Sequence, residues 1–347
     1  MGTLRYLRHN QTEESHLAWQ NLPMAESLSS DDNHLSIGLA QIAPVWLDRS
    51  ATLRKVESYV EQAARQGCRL VVFGEALVPG YPFWLELTDG ARFNSALQKE
   101  IFAEYAAQAV QPEAGHLDQL RAAAARNGIA IYLGCVERAA DRGGHSLYCA
   151  LVFIDRQGEI GSVHRKLIPT YEERLVWSAG DGHGLRTHEV GPFQVGGLNC
   201  WENWMPLARS SLYAQGENLY VAVWPGGIHN TRDITRFIAM ESRSYVVSVS
   251  GLMRSTDIGD SAAWRKAVAA TSPEMLATGG SCIAGPDGEW LVPPSRCEEE
   301  LLKATIDIRR VFEERQNFDP SGHYARPDVT RLELNRKRQN VLGILPD

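Results

Sequence analysis

From near Leu35 onward, short apolar, β-rich runs alternate with helical patterns. Runs at Leu35 to Ile42, Leu70 to Phe73 and Ile129 to Val136 are separated by a helical pattern over about 50–66 and helical segments over about 97–127. Phe193 to Asn199, a helix over about 205–215, Asn218 to Val223, a helix over about 231–243 and Tyr245 to Leu252 continue the alternation. Strands that alternate with helices predict parallel pairing through helical crossovers, so the chain reads as α/β.

Antiparallel pairs are mixed in. Ser146 to Ile154 and Glu159 to His164 flank Asp155-Arg156-Gln157-Gly158, whose glycine suits a hairpin turn, and Ser281 to Ala284 and Glu289 to Leu291 flank Pro286-Asp287-Gly288 in the same way. Leu301 to Ile306 reads as a last strand. Residues 1–34 are polar and read as an extension, 35–310 as one large domain with a substantial core, and 311–347 as a C-terminal tail.

Composition narrows the partners. The 35 Lys and Arg against 42 Asp and Glu leave a net charge of −7, and the longest basic run, Arg336-Lys337-Arg338, reads as a solvated patch. Nothing here forms the basic footprint that nucleic acid or an anionic membrane requires. The longest apolar stretches, such as Tyr245 to Met253, fall short of the roughly 20 residues that span a bilayer. The six cysteines contain no C-x-x-C pair, which speaks against a zinc knuckle or redox motif and for a reducing cytoplasm. The start, Met1-Gly2 with Tyr6 where a myristoylation signal has Ser or Thr, suggests neither secretion nor a lipid anchor. Small molecules and copies of the same chain remain as partners.

Three runs end in a reactive residue. Leu70 to Phe73 leads to Glu75, the run ending at His164 leads to Lys166, and Phe193 to Asn199 leads to Cys200. In open α/β sheets ligands bind in the crevice beyond the carboxyl ends of the strands, so a carboxylate, an ammonium and a thiol converge on one candidate site. Taken singly, each has an ordinary reading: a buried thiol, a strand-end carboxylate, a solvated lysine. However, Pro206 suits the first turn of a helix and places Cys200 near a strand-to-helix turn. Glu75 precedes the apolar Ala76-Leu77-Val78-Pro79-Gly80-Tyr81-Pro82, where a carboxylate is costly unless paired or protonated.

The segments Phe73 to Pro82, His164 to Trp177 and Gly197 to Leu207 together resemble the nitrilase superfamily of carbon-nitrogen hydrolases, and within it the nitrilase branch. A weaker match is Gly322-His323-Tyr324-Ala325-Arg326-Pro327-Asp328, and the similarity extends over roughly 35–330. The resemblance implies a four-layer αββα sandwich of two mixed sheets with helices outside. It implies Glu75 as general base and acid, Lys166 as electrostatic stabiliser, Cys200 as nucleophile, and Glu173 as a second carboxylate orienting Lys166 and the substrate. It also suggests dimers that build longer spirals. One departure is Gly74, where many relatives have Pro, which could loosen the backbone that aims Glu75.

The implied reaction is hydrolysis of an organic nitrile to the carboxylic acid and ammonia, through a thioimidate and then a thioester on Cys200. A thiolate is a soft, strong nucleophile suited to the nitrile carbon. Tyr81, Trp177, Trp201 and Trp204 are candidates for binding an apolar substituent, with Trp224 nearby, and His323 for an interface or capping role. An amidase or N-carbamoyl hydrolase would use the same four residues, and a non-catalytic binding or assembly protein could use the same fold. No G-x-S-x-G elbow, H-E-x-x-H pair or G-x-x-x-x-G-K-[ST] loop is present, so no metal or cofactor is expected.

Overall fold

The computed structural model describes residues 33–342 and arranges the alternation as two six-stranded sheets. The chain runs through β1 (His34–Gln41), α1 (Arg49–Arg65), β2 (Leu70–Phe73), α2 (Trp84–Leu87), α3 (Ala96–Gln108), α4 (Asp118–Asn127), β3 (Ala130–Arg138), β4 (Leu147–Ile154) and β5 (Ile160–Arg165). It continues with β6 (His188–Val190), β7 (Phe193–Asn199), α5 (Pro206–Tyr213), β8 (Leu219–Trp224), α6 (Ile228–Ser242), β9 (Tyr245–Ser250) and β10 (Leu252–Arg254). Last come α7 (Ala263–Thr271), β11 (Met275–Thr278), β12 (Cys282–Ala284), β13 (Trp290–Val292), β14 (Glu300–Asp307) and α8 (Ile308–Arg315). The expected polar extension over 1–34 lies outside the described residues except for Asn33 and His34, and α8 spans the expected boundary at 310.

The first sheet has the order β14-β1-β2-β3-β4-β5 and the second β13-β12-β9-β8-β7-β6. β1, β2 and β3 pair in parallel, as do β7, β8 and β9, while the flanking strands are antiparallel. Both expected hairpins form, with Gly158 and Gly288 at φ +84° and +83°, where a side chain would be strained.

Side chains alternate across each strand, and this alternation makes four layers. On β2, Leu70 and Val72 join the core between the sheets with Val221 and Val247, while Val71 and Phe73 pack with Val56 and Val60 of α1 and Leu120 of α4. On the far side, Ala222 and Trp224 pack with Leu212 of α5 and Ile234 and Ile238 of α6. Each fully buried aliphatic or aromatic side chain contributes about 1.5–3 kcal/mol. The result is the αββα sandwich.

The expected single strand over Tyr245 to Leu252 divides. β9 stops at Ser250 and β10 starts at Leu252, where it pairs with β11 in a separate ribbon. Gly251 sits between them, and an added Cβ there would lie 2.1 Å from the Pro225 carbonyl oxygen. Only glycine lets the chain bend that closely past its neighbour.

Candidate active site

Glu75, Lys166 and Cys200 follow the carboxyl ends of β2, β5 and β7, and all three are buried. Glu173 joins them from a 3₁₀ turn, Tyr171–Leu175, that follows β5. Lys166 Nζ donates to Glu75 Oε1 at 2.9 Å and to Glu173 Oε2 at 2.7 Å. Cys200 Sγ and one oxygen from each carboxylate lie within 4.8 Å of one another. The Lys166 ammonium already bonds both carboxylates, which is the part a cation would play there.

The backbone around Glu75 is held on several sides. Its N–H donates to the Trp224 carbonyl at 3.3 Å, and a Cβ on Gly74 would stand 3.2 Å from the Gly251 nitrogen. On β3, a Cβ on Gly134 would lie 2.0 Å from the Gly74 carbonyl oxygen, so this crossing depends on glycine. These close approaches hold the backbone from which the Glu75 side chain extends.

Cys200 opens a 3₁₀ turn, Cys200–Trp204, with φ +49°, a left-handed conformation that is strained for a residue with a side chain. Pro206 stands at the first turn of α5. The thiol is not displayed to solvent: Cys200 is 3% exposed. Two buried side chains brace the turn. Asn203 Nδ2 donates to the Cys200 carbonyl at 2.8 Å, and Tyr220 donates to Asn203 Oδ1 at 2.9 Å. Glu202 accepts the Asn199 N–H at 3.0 Å and the Leu167 N–H at 2.7 Å, and pairs with His164 Nε2 at 3.0 Å.

Two carboxylates share one ammonium in a dry site, so their proton affinities respond. Burial and the Glu173 charge push the Glu75 carboxyl up to about 7, with Lys166 acting in the opposite direction. Burial also disfavours the Lys166 ammonium, yet the charges of Glu75 and Glu173 raise it well above its ordinary value. Burial and the Glu75 charge push the Cys200 thiol up, while the Trp201 backbone N–H bonds the sulfur and lowers it. At rest the cluster therefore holds a thiol, not a thiolate, beside a base poised near neutrality. Despite its burial, Glu202 is held below the carboxylate range by His164 and by the Leu167 and Asn199 N–H groups.

The sequence-predicted aromatic residues separate into two groups. Tyr81 donates its hydroxyl to Glu173 Oε1 at 2.8 Å, and its ring meets that of buried Trp177 edge-on at 5.6 Å. Trp177 lies 5.8 Å beneath Lys166 Nζ. Trp201 and Trp204 lie together at the surface, 54% and 46% exposed. Trp224 is core, and His323 is exposed beside Tyr324. A cavity of about 20 Å³, room for roughly one water, opens onto Glu75 between Tyr81, Phe83, Pro225, Leu252 and Met253.

Sequence reasoning did not anticipate Phe83, Leu252 and Met253 as walls, Cys149 against Glu75, or the Glu202–His164 pair. It also did not place the C-terminal tail. Arg338, expected in a solvated patch, donates to Asp181 Oδ1 at 3.0 Å, and Arg336 reaches Gln215. Gln339 donates through its backbone to Asp181 and through its side chain to the Gly180 carbonyl. Gly180 in turn donates to the Lys166 carbonyl at 2.9 Å, so the tail backs the lysine loop.

Residues 36–316 match the family model described as carbon-nitrogen hydrolase. The chain is similar to a protein named Nitrilase 2 from an unknown prokaryotic organism, 36% identical over 308 residues, 88% of this chain and 94% of that one. It is similar to an aliphatic nitrilase of Rhodococcus rhodochrous, 32% identical over 315 residues, 87% of this chain and 80% of that one. A carbon-nitrogen hydrolase from Helicobacter pylori G27, 20% identical, superposes with a TM-score of 0.60 over 85% of this chain and 96% of that one, a likeness of fold. The motifs, the two-sheet sandwich and these matches agree: the chain belongs to the carbon-nitrogen hydrolase family.

Proposed function

We propose that this protein hydrolyses an organic nitrile to its carboxylic acid and ammonia, with Cys200 as nucleophile, Glu75 as general base and acid, and Lys166 and Glu173 as supporting charges. The observation that carries the reading is the buried cluster of Cys200, Glu75 and Glu173 within 4.8 Å, tied together by Lys166. The nitrilases to which the chain is similar over most of its length support a nitrile as the substrate.

The thiol proton passes to Glu75 as Sγ attacks the nitrile carbon. One C–N π bond breaks, and the nitrogen takes the proton from Glu75, giving a thioimidate. Lys166 and the Trp201 N–H stabilise the charge developing on nitrogen. Water deprotonated by Glu75 adds to the thioimidate carbon as the remaining C–N π bond breaks and Glu75 passes that proton to the nitrogen; the C–N σ bond then breaks, the hydroxyl proton leaves with the nitrogen as ammonia, and a thioester remains. A second water adds, the C–S bond breaks, and the acid departs as the thiol is restored. Phe83, Leu252 and Met253 give the opening onto Glu75 an apolar rim.

Among the described residues no helix is long and apolar enough to cross a membrane. The free cysteines, five of them buried, support a reducing cytoplasm as the compartment. Exposed Trp201, Trp204, Leu207, Phe237 and Met240 on and beside α5 and α6 support self-association, which sedimentation would measure. The activity is tested by ammonia release from paired nitriles and amides, with Cys200→Ala as control. Release from nitriles, abolished in C200A, is expected; release from amides alone would overturn the nitrile reading.

A further inference from the structure

One polar contact at the cluster is used by none of the steps above. The Cys149 thiol donates to Glu75 Oε1 at 3.4 Å. Cys149 lies on β4, fully buried, and its backbone carbonyl accepts the Lys166 N–H at 2.8 Å. One residue thus touches the base through its side chain and the lysine through its main chain. Glu75 Oε1 takes two donors, Lys166 Nζ and Cys149 Sγ, while Oε2, equally buried, has no hydrogen-bond partner among the described residues. An unpartnered carboxylate oxygen inside a protein is costly, and it is retained where it has work to do.

We propose that Cys149 is a positioning residue for Glu75: its thiol, with the Lys166 ammonium, saturates Oε1 and fixes the carboxylate plane so that Oε2 receives the Cys200 proton. An S–H is a weak donor in water, but a carboxylate acceptor in a dry site strengthens the bond. Burial and the Glu75 charge push the Cys149 thiol up, so it keeps its proton and remains the donor. The groups that face Glu75 are Lys166, Glu173 on its 3₁₀ turn, Cys200 on the turn after β7, Cys149 on β4, and the hydroxyls of Tyr81 and Tyr105. Of these, Lys166 and Cys149 hydrogen-bond Glu75, and both bonds favour its ionised form. Removing the thiol therefore raises the proton affinity of Glu75 and frees its rotation.

The inference rests on the nitrile-hydrolase reading, and its test is the pH profile of kcat/KM for wild type, Cys149→Ala and Cys149→Ser, all full length. In C149A the acid limb is expected to move up by roughly 0.5–1 pH unit, the worth of one modest hydrogen bond, with kcat lowered. C149S, which restores a donor, is expected to return both toward wild type. An acid limb in C149A superimposable on wild type, or one in C149S displaced as far as in C149A, would overturn the proposal. A loss of thermal stability without a shift in the limb would also overturn it, because packing alone would then explain the residue. Should C149A not fold, Cys149→Val fills the volume without a donor and is judged in the same way. Should wild type release no ammonia from any nitrile, the functional reading fails separately. The pH dependence of Cys200 alkylation by iodoacetamide, compared between wild type and C149A by peptide mass spectrometry, then decides on Cys149 alone.

Discussion

Glu202, two residues beyond the proposed nucleophile, accepts the backbone N–H of Leu167, the residue after the lysine, at 2.7 Å. Because the same carboxylate takes the Asn199 N–H, it fastens the turn carrying Cys200 to the turn carrying Lys166. His164 supplies the compensating partner at 3.0 Å, and Glu202, His164 and Asn199 are all buried.

Removing one partner of such a buried pair leaves the others unsatisfied, at a cost of roughly 3–5 kcal/mol. Glu202→Ala is therefore expected to lose that much stability by urea denaturation and to lower kcat at least tenfold while Cys200 is intact. A loss below about 1 kcal/mol with kcat unchanged would mean that the two turns are positioned by other contacts.

The raised Glu75 carboxyl sets a pH dependence. The base works only when ionised, so kcat/KM is expected to fall with acid below about pH 7, tenfold per unit, and to level above it. Lys166, raised well above its ordinary value, introduces no fall in the neutral range. The pair is buried, so the midpoint is expected to be insensitive to salt. A flat profile between pH 5 and 8 would contradict the assignment of Glu75 as base.

A second buried carboxylate governs stability rather than activity. Neither oxygen of Glu217 has a hydrogen-bond partner among the described residues, and burial raises its carboxyl from 4.5 to about 8, with the Arg315 charge acting in the opposite direction. The folded state thus binds this proton more tightly than the unfolded chain, and stability drains away as pH rises from about 4.5 through 8. Glu217→Gln removes the dependence. Melting at pH 5 and pH 9 is expected to show E217Q matching wild type in acid and exceeding it in base; a difference independent of pH would refute the account.

Much of this arrangement is legible in the sequence where a local signal marks it. β2 and β7 have the bounds that the runs Leu70 to Phe73 and Phe193 to Asn199 predict, because each run is apolar and stops at the residues that lead to Glu75 and Cys200. The hairpin glycines and Pro206 act locally as well. Cys149 is different. It sits inside the apolar run Leu147–Ile154, and only the pairing of β2 with β3 and of β3 with β4, Val136 opposite Cys149, brings it to Glu75. Glu202 lies 38 positions from His164 and Arg338 lies 157 from Asp181, so these contacts exist only once distant strands and the tail are assembled. The short α2, β6 and β10 carry too few residues for periodicity to show.

The proposed reaction passes through a covalent bond between the substrate and Cys200. Enzyme quenched in acid during turnover of a slowly hydrolysed nitrile, then digested, gives the direct reading by peptide mass spectrometry. An imidoyl or acyl mass increment is expected on the peptide carrying Cys200, absent from C200A, which also releases no ammonia. Steady ammonia release with no adduct at Cys200, or turnover persisting in C200A, would contradict the proposed reaction.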